Sequence, residues 1–362
     1  MVRVLHAADL HLDSAFAGLS RQQAAERRSQ SRQTVERLVD WANDHGAELM
    51  LLAGDLFDSA DLYAQTAEEL AGALGRFSVA VVIAPGNHDC YTPAGPWGTC
   101  AWPENVHIFT GAAPGFFDLP AYGCRVHGAA FTAPEETREG ALLALSLDPE
   151  RVNIGVFHGD VGARESSYRP ISLGEIRQSG LDYLALGHVH GCSGLQRAGT
   201  TAWAYPGCLE GRGFDETGDK GFLFGTVDRG RAEMAFVPFA PRRYEVLSAD
   251  VTDQDPLTAV TDVLPLHTQG DIYRIFLTGE ADRAPDTDAL CRALQERFFA
   301  LELRDKTTLR QDIWARQDDD SLRGLFLREM RRRYEAAADE DARQQVVMAV
   351  RFGLNAMDDR EM

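Results

Sequence analysis

Short apolar segments near the amino terminus alternate with stretches of helical periodicity, and this alternation most constrains the fold. The apolar segments are VRVLHAAD, ELMLLAGD and VAVVIAPGNHD. Residues 20 to 45 have the periodicity of a helix, with Ser20 as its candidate N-cap and Gly46 as its stop. A second helix fits residues 61 to 76. Strands that alternate with helices are typical of βαβ units, so we expect a parallel sheet here.

The rest of the chain changes in character twice. From about residue 105 to 240 it is rich in strand-like segments, with one helix-like segment near 171 to 179, and from 242 to 304 strands and helices alternate again. The pattern predicts an α/β fold in which two facing sheets are flanked by helices, followed by a small α+β domain and a helical C-terminal tail. The predicted boundaries are 1–240, 241–305 and 306–362.

Charge and cysteine content narrow the class of protein. A net charge of −19 argues against coating nucleic acid through bulk electrostatics, although bound divalent cations would reverse the local field and attract phosphate. The six cysteines are scattered without a CxxC pair, which favours reduced thiols in a cytoplasm. The apolar start of the chain soon meets Asp9, and no later segment is long enough for a membrane span. We therefore expect a cytoplasmic protein without a signal peptide.

Five apolar segments end in residues suited to bind metal. These residues are Asp9 and His11 in AADLH, Asp55 in LAGDLFD, Asn87 with His88 in PGNHD, His158 in VFHGD, and His188 with His190 in LGHVH. Ligands gather at the carboxyl ends of strands in α/β sheets, so we expect the five ends to converge. Carboxylate, amide and imidazole ligands without thiolate favour manganese, iron or zinc. The set is too large for one ion, but two ions about 3.5 to 4 Å apart could share it through a bridging carboxylate.

The ordered blocks DxH, GDxxD, GNHD, an isolated histidine and GHxH resemble the signature of the calcineurin-like binuclear metallophosphoesterases. The resemblance implies the α/β/β/α sandwich of that family and a centre with two divalent ions. By position it implies that the first ion is bound by Asp9, His11, Asp55 and His190. It implies that the second ion is bound by Asp55, Asn87, His158 and His188. Asp55 would then bridge the two ions.

Other residues near these blocks have implied or open roles. His88 follows a ligand without being needed as one, and its family role is that of the general acid that protonates the leaving oxygen. Asp58 lies where some relatives carry histidine, and it either orients His88 or substrate or caps its own loop. Asp89 is expected to stabilise its own turn. The histidines outside the blocks are expected to be structural or surface residues: His6, His45, His107, His127 and His267.

The substrate class is predicted from residues after the metal blocks. The segment YPGCLEGRGFDETGDKGF, residues 205 to 222, resembles the corresponding stretch of SbcD-type DNA-repair exonucleases, including their YhaO-like branch. The segment DIYRIFLTG resembles part of their capping domain. We therefore predict a metal-dependent DNA exonuclease, with endonuclease activity left open, that uses two ions, Mn²⁺ being the expected metal. Arg212 is a candidate contact for a DNA phosphate, although bracing its own loop is the commoner role.

Two other functions remain as alternatives at this point. One is a general phosphatase or cyclic-nucleotide phosphodiesterase of the same superfamily, which would need a pocket for a small ester. The other is a DNA-end-binding scaffold subunit of an ATPase complex. The complete set of ligands argues against a scaffold, which has no chemical need for metal.

An apolar stripe marks the C-terminal tail. Leu322, Phe326 and Met330 recur at helical spacing, with Leu325 beside them. The stripe either docks on its own domain or fills a groove in a partner. The resemblance implies that the partner is an SbcC-like ATPase with a long coiled coil. The sequence leaves open whether the chain forms a homodimer.

Overall fold

The structure, a computed structural model, describes residues 1–59, 64–163, 165–281, 283–309, 313–314 and 316–357. The first predicted helix is confirmed: the side chain of Ser20 accepts the N–H of Gln23, whose own side chain accepts the N–H of Ser20. This reciprocal capping box satisfies backbone donors that the first turn leaves unpaired. The second predicted helix is present from residue 64, while its predicted residues 61 to 63 lie outside the described residues.

The described residues form eight α-helices. They are α1 (Arg21–Asp44), α2 (Ala64–Gly75), α3 (Pro96–Thr99), α4 (Leu173–Ser179), α5 (Pro256–Val263), α6 (Thr287–Leu294), α7 (Leu322–Glu335) and α8 (Glu340–Met357). Short 3₁₀ turns occur at Pro120–Tyr122, Ala141–Ala144 and Gln295–Arg297.

The same residues form nineteen strands. They are β1 (Val2–Ala7), β2 (Leu49–Leu52), β3 (Ala80–Ile83), β4 (Val106–Ile108), β5 (Gly115–Leu119), β6 (Cys124–Gly128), β7 (Val152–His158), β8 (Asp160–Val161), β9 (Pro170–Ile171), β10 (Tyr183–Gly187), β11 (Gln196–Ala198), β12 (Thr201–Ala204), β13 (Gly221–Asp228), β14 (Arg231–Pro238), β15 (Tyr244–Asp250), β16 (Ile272–Thr278), β17 (Glu280–Ala281), β18 (Ala300–Asp305) and β19 (Thr308–Leu309).

Two six-stranded sheets dominate the fold. The first sheet has the order β14-β13-β1-β2-β3-β4, and the second has the order β11-β12-β10-β7-β6-β5. Each has a parallel centre and an antiparallel edge: β1 through β4 run parallel, as do β6, β7, β10 and β12. In the first sheet Ala7, Leu52 and Ile83 lie in register, and in the second Gly187 pairs with His158. The carboxyl ends of the central strands are therefore level within each sheet.

Three hydrophobic cores lie between the successive layers of the fold. Residues of both sheets, such as Leu51 and Val156, form one core between the facing sheets. A second core lies between the first sheet and helices α1 and α2, and a third packs α4 on the outer face of the second sheet. The predicted arrangement of two facing sheets flanked by helices is therefore confirmed.

A buried histidine ties the two sheets together. His6 is on β1, and its Nδ1 lies 2.8 Å from the Tyr183 hydroxyl while its Nε2 lies 3.1 Å from the carbonyl oxygen of Leu186, both on β10. Burial lowers the pKa of His6 to about 3, so the ring is neutral at physiological pH. His6 is thus a structural residue, as predicted.

The segment from residue 244 to 305 confirms the predicted alternation of strands and helices. Strands β15, β16 and β18 form a three-stranded sheet, and helices α5 and α6 lie between them in sequence. By contacts the chain divides into two compact units. One comprises residues 1–247, 265–275 and 291–302, and the other comprises 248–264, 276–290 and 303–362. The three-domain division at 240 and 305 stays a prediction.

Helices α7 and α8 pack on each other within the second unit. Leu327, Met330, Val350 and Leu354 form their buried core, against which Phe326 packs. A Cβ atom on Gly353 would lie 2.4 Å from the Phe326 ring, so the glycine allows the helices to approach closely. Among the described residues, no helix combines the length and apolar character needed to cross a bilayer.

Candidate metal centre

The predicted metal ligands follow the carboxyl ends of parallel strands in both sheets. The first sheet supplies Asp9 and His11 after β1, Asp55 after β2 and Asn87 after β3. The second sheet supplies His158 at the end of β7, and His188 and His190 after β10. Because the two sheets face each other, the seven side chains approach one crevice from opposite sides.

Three of these residues form a first cluster. Single ligand atoms of Asp9, His11 and His190 all lie within 4.8 Å of one another. The two Nε2 atoms of His11 and His190 are 3.2 Å apart, and the Nε2 of His190 is 3.9 Å from an Asp9 oxygen. The arrangement matches three of the four ligands predicted for the first ion.

A second cluster is centred on His158. Its Nε2 lies 3.3 Å from Asp55 Oδ2 and 2.9 Å from Asn87 Oδ1, and the ring of His188 packs edge-on against it. The same Asp55 oxygen is 3.9 Å from the Nε2 of His11. One carboxylate oxygen thus lies between the two clusters, where a bridging ligand is required.

The backbone of these loops is unusual. Asp9, His11 and Asp55 have φ values of 53°, 44° and 52°, and His188 has a φ of 112°. Residues other than glycine seldom adopt positive φ, and such strain concentrates at functional sites. The N–H of His11 donates to the carbonyl oxygen of Asp55, which keeps the first two loops side by side beyond their strands.

Glycines allow the ligand loops to approach one another. A Cβ atom on Gly86 would lie 2.2 Å from an oxygen of Asp55, and one on Gly187 would lie 1.8 Å from the carbonyl oxygen of Ala53. Both are far inside van der Waals contact. The glycines in PGNHD and LGHVH are therefore required by packing between strands that carry ligands.

Asp89 joins two of the ligand loops. Its buried carboxylate accepts the N–H groups of Gly86, Leu56 and Phe57 at 2.7, 2.8 and 3.3 Å. The prediction that Asp89 stabilises its own turn is confirmed, and the turn after β2 is held as well. Asp89 therefore connects the turn that carries Asp55 to the turn that carries Asn87.

Three imidazoles turn Nδ1 away from the centre. The Nδ1 of His158 is 2.9 Å from the carbonyl oxygen of Ala53, that of His190 is 2.6 Å from Glu216 Oε1, and that of His11 is 3.2 Å from Asp58 Oδ1. A carbonyl or carboxylate oxygen can only accept, so the Nδ1 atoms of His158 and His190 are protonated in these contacts, whereas His11 is close to Asp58 without the geometry of a hydrogen bond. Once the imidazoles lose their second proton, the Nε2 atoms would offer lone pairs to a metal ion in the crevice.

The buried acids and imidazoles of the site shift one another's pKa values. Burial, reinforced by the charge of Asp55, raises the pKa of Asp9 to about 7. Burial alone would lower the pKa of His158, but Asp55 outweighs it and raises that pKa to about 9. The carboxylates and imidazoles thus compete for protons in a site shielded from water. A divalent cation would satisfy the same lone pairs, so this donor set fits two such ions.

Comparison with known families agrees with this geometry. The family model described as calcineurin-like phosphoesterase matches residues 2–192, more than half of the chain. The chain belongs to the calcineurin-like phosphoesterases. Hydrolases of this superfamily bind two divalent metal ions, and the predicted resemblance is confirmed.

Three individual relatives are similar to this chain over 60% to 71% of its length. The uncharacterized metallophosphoesterase YhaO of Bacillus subtilis is 33% identical over 71% of this chain and 65% of its own length. The DNA double-strand break repair protein Mre11 of Methanopyrus kandleri is 28% identical over 63% and 55%. The SbcD component of the nuclease SbcCD of Bacillus subtilis is 25% identical over 60% and 64%. The matched region spans less than two thirds of each of these relatives.

His88 lies at the exposed rim of the phosphoesterase centre. Its backbone N–H donates to Asp55 Oδ1 at 2.9 Å, and its Nδ1 lies 3.0 Å from the backbone carbonyl oxygen of Asp58. Side-chain ligand atoms of His88, Asp58 and His11 also lie within 4.8 Å of one another. The carbonyl oxygen of Asp58 therefore orients the His88 ring, while the Asp58 carboxylate faces His11. The role of His88 as general acid stays a prediction.

Glu216 is a site residue that the sequence did not predict. It lies in the loop before β13. Its carboxylate accepts hydrogen bonds from the Nδ1–H of His190 and from the Nε and Nη2 groups of Arg212. Burial alone would raise the pKa of Glu216, but His190 and Arg212 hold it well below its usual range. Glu216 stands 26 residues from His190 in sequence, with no spacing signal to connect them. Only its place in the segment from 205 to 222 pointed to this region.

Arg169 supports the second sheet from behind. Its guanidinium is fully buried, donates to the carbonyl oxygens of Ala129, Ala130 and His158, and lies over the ring of Phe131. Three neutral acceptors and an aromatic face replace its lost hydration. Arg169 therefore fixes the strand end that carries His158.

Proposed function

We propose that this phosphoesterase is a DNA nuclease that hydrolyses phosphodiester bonds with two Mn²⁺ ions, acting as an exonuclease, with endonuclease activity left open. The observation that carries the proposal is the convergence of seven oxygen and imidazole ligands, with an exposed histidine beside them. The names of two relatives, one a DNA double-strand break repair protein and the other part of a nuclease, favour DNA as the substrate.

The chemistry divides between ions and protein. Two divalent ions, when bound, acidify a water that becomes the nucleophile and neutralise charge on the phosphate. Asp9, Asp55 and Asn87 supply the oxygens that would hold them, and His11, His158, His188 and His190 supply the imidazoles. The chain has a net charge of −19 and would by itself repel a phosphodiester. The two bound cations would supply the local positive charge that attracts it.

His88 is the proposed proton donor. Its Nδ1–H is occupied by the carbonyl oxygen of Asp58, so Nε2 is the atom that carries a transferable proton in the imidazolium form. The exposed ring has room to approach the leaving oxygen of a bound strand. Asp58 contributes through its backbone to His88 and through its carboxylate to His11. The phosphate contact of Arg212 stays a prediction, since its guanidinium contacts Asp58 and Glu216.

The substrate is tested by parallel assays with MnCl₂. End-labelled linear DNA, closed circular DNA and a small aryl phosphomonoester are each incubated with the purified chain. Release of nucleotides from linear DNA, with little cleavage of the monoester, is the expected result. Cleavage confined to the monoester would instead identify a general phosphatase. The variant Asp55→Asn controls for contaminating nucleases.

The C-terminal helices support a proposed protein partner. Leu322 and Leu325 on α7 and Met348 and Phe352 on α8 are exposed, although their neighbours Phe326 and Met330 pack inside the helix pair. We propose that this apolar surface binds the coiled coil of an SbcC-like ATPase in the cytoplasm. Co-purification with a candidate ATPase, lost in the double variant Leu322→Ser/Leu325→Ser, tests it. Formation of a homodimer by the same surface would appear as a doubled mass in light scattering.

A further inference from the structure

One guanidinium connects two carboxylates beside the metal centre. The Nη1 of Arg212 donates to Asp58 Oδ1 at 3.0 Å, and its Nη2 donates to Glu216 Oε1 at 2.7 Å. Its Nε is 3.4 Å from the other oxygen of Glu216, and its backbone N–H donates to that oxygen at 2.8 Å. Two loops that are 154 residues apart in sequence are therefore joined by one side chain.

Each of these carboxylates faces a different histidine of the first cluster. The same oxygen of Glu216 that Arg212 contacts receives the Nδ1–H of His190 at 2.6 Å. The same oxygen of Asp58 lies 3.2 Å from the Nδ1 of His11. Arg212 thus reaches the outer nitrogen of His11 through Asp58, and that of His190 both through Glu216 and by its own Nη2, which lies 3.0 Å from the Nδ1 of His190.

The second cluster is held differently. The outer nitrogen of His158 faces the neutral carbonyl oxygen of Ala53. A carboxylate on the outer nitrogen makes an imidazole a stronger donor and fixes its orientation more firmly than a carbonyl does. The two clusters therefore differ in what lies behind their histidines.

We propose that Arg212 is a positioning residue for the first ion. By fixing the carboxylates of Asp58 and Glu216, it aims the Nε2 atoms of His11 and His190 at one point and makes the first ion the more tightly held of the two. This inference rests on the proposed two-ion centre but does not depend on the substrate. An arginine is suited to the role because its rigid fork contacts two carboxylates at once, which a lysine cannot reproduce.

The geometry distinguishes this role from that of a surface ion pair. Exposed pairs contribute little because water competes for both partners. The side chain of Arg212 is 19% exposed, and that of Glu216 is 6% exposed. Without the guanidinium, the carboxylates of Asp58 and Glu216 would lose the cation that holds both of them in place. Each would then orient its own histidine, His11 or His190, less firmly. The expected consequence is a loss of metal affinity on one side of the centre.

The test is a calorimetric titration of the metal-free chain with MnCl₂. Outer partners of metal ligands typically contribute about 10- to 100-fold in affinity, so Arg212→Gln should weaken the tighter binding event by that factor and leave the weaker one unchanged. Arg212→Lys should fall between Arg212→Gln and wild type. Glu216→Gln, which keeps size but removes charge, should weaken the same event. With Co²⁺ as a probe, only one of two visible absorption components should shift.

Arg125→Gln is the matched control. Arg125 has a side chain 14% exposed and contacts two carboxylates, Asp118 and Asp148, away from the metal centre. Its variant should bind both ions as wild type does. This control separates loss of any bridging arginine from loss of the one beside the ligands.

Four results would overturn the inference. Unchanged affinities in Arg212→Gln, together with slower cleavage of DNA, would identify a substrate contact instead. Equal weakening of both events would identify a general structural role. If the wild-type chain does not bind two ions, the proposed function fails as well. Should Arg212→Gln not fold, unchanged affinity in Glu216→Gln is the overturning result.

Discussion

The two large sheets contribute different chemistry to the same crevice. The first sheet provides every predicted oxygen ligand, Asp9, Asp55 and Asn87, from loops that begin after its strands end. The second sheet provides only imidazoles, His158, His188 and His190. The carboxylates therefore enter from one side, and only imidazoles enter from the other. The first sheet accordingly sets how much positive charge the site can hold, whereas the second sheet sets where it is held.

The strongest test of this division is Asp55→Asn. Asp55 has one oxygen within 3.9 Å of both clusters, so its loss should empty both ion positions. Since metals supply several kcal/mol of transition-state stabilisation, hydrolysis should fall by at least about 10³-fold. Metal content by mass spectrometry of the purified variant checks it. Two ions at full occupancy would refute the bridging role.

His188→Ala tests the opposite sheet. The His188 ring packs against His158 of the second cluster, and only its backbone N–H, which an alanine keeps, donates to Asp9 of the first, so we expect loss of one ion and retention of the other. Activity should still be lost, since a single ion cannot hold both the attacking and leaving oxygens. The measurement is again metal content, with stoichiometry near one as the expected value. Loss of both ions would contradict this prediction, because it would show that removing one ligand of the second sheet empties both positions.

His88→Ala tests a residue that lies in a loop of the first sheet but is not a predicted metal ligand. A positioned general acid typically contributes about 10² to 10⁴ in rate, so DNA cleavage should slow by that order while both ions stay bound. Steady-state rates and metal content are measured together.

The leaving group separates the possible roles of His88. An aryl phosphodiester expels a stabilised phenolate that scarcely needs a proton, so the variant should recover most of its rate on that substrate. Equal losses on both substrates would indicate charge stabilisation or positioning. Loss of metal would make His88 a ligand, for which its closeness to His11 and Asp58 leaves room.

His6→Asn tests the bond between the sheets away from the ions. The pKa of His6 is lowered to about 3 from an ordinary value of 6.5, so below pH 6.5 the unfolded chain takes up a proton that the folded chain refuses. Stability should fall with decreasing pH by up to about 1.4 kcal/mol per unit from this residue. Urea unfolding between pH 6.5 and 4.5 should show a smaller slope in His6→Asn. The exposed His45→Asn is the control and should keep the wild-type slope.

Deletion of residues 306–362 should have the smallest effect on hydrolysis. The deletion leaves every strand of both sheets intact, so hydrolysis of a small diester with Mn²⁺ should be unchanged. Binding to the ATPase partner should weaken. Kinetics on the diester and pull-down of the partner check the two halves of this prediction. A chain that no longer folds would show that the stripe docks on its own protein.

The sequence predicted the strand ends that carry the candidate ligands because strand ends and short motifs are local. The helix from Ser20, the five strand ends and the alternation after residue 242 all depend on residues near one another in the chain. The target of Asp58 was not predictable in the same way. We expected its side chain to orient His88, its own turn or substrate, whereas its carboxylate contacts His11 and Arg212.

Contacts between distant loops account for the rest of what was missed. The contacts of Glu216 with His190 and of Arg212 with Asp58 join residues that are distant in sequence, and no periodicity encodes them. The apolar stripe of α7 shows a different limit. Phe326 and Met330 turn toward α8 while Leu322 and Leu325 stay exposed, because hydrophobic spacing identifies a face but not what covers it.

The bond from His158 to Ala53 has a consequence for how this protein can change. It reaches from a ligand of the second sheet to the backbone of the first, in the opposite direction to the bonds of His6. Residues at active sites are often poor for stability, so that replacing them makes a protein more robust at the expense of its activity. His158 would escape that trade-off, since the ring predicted to bind metal also holds the two sheets together. Replacing His158 would therefore cost both metal binding and stability. A related protein that had lost its activity would still be stabilised by this histidine.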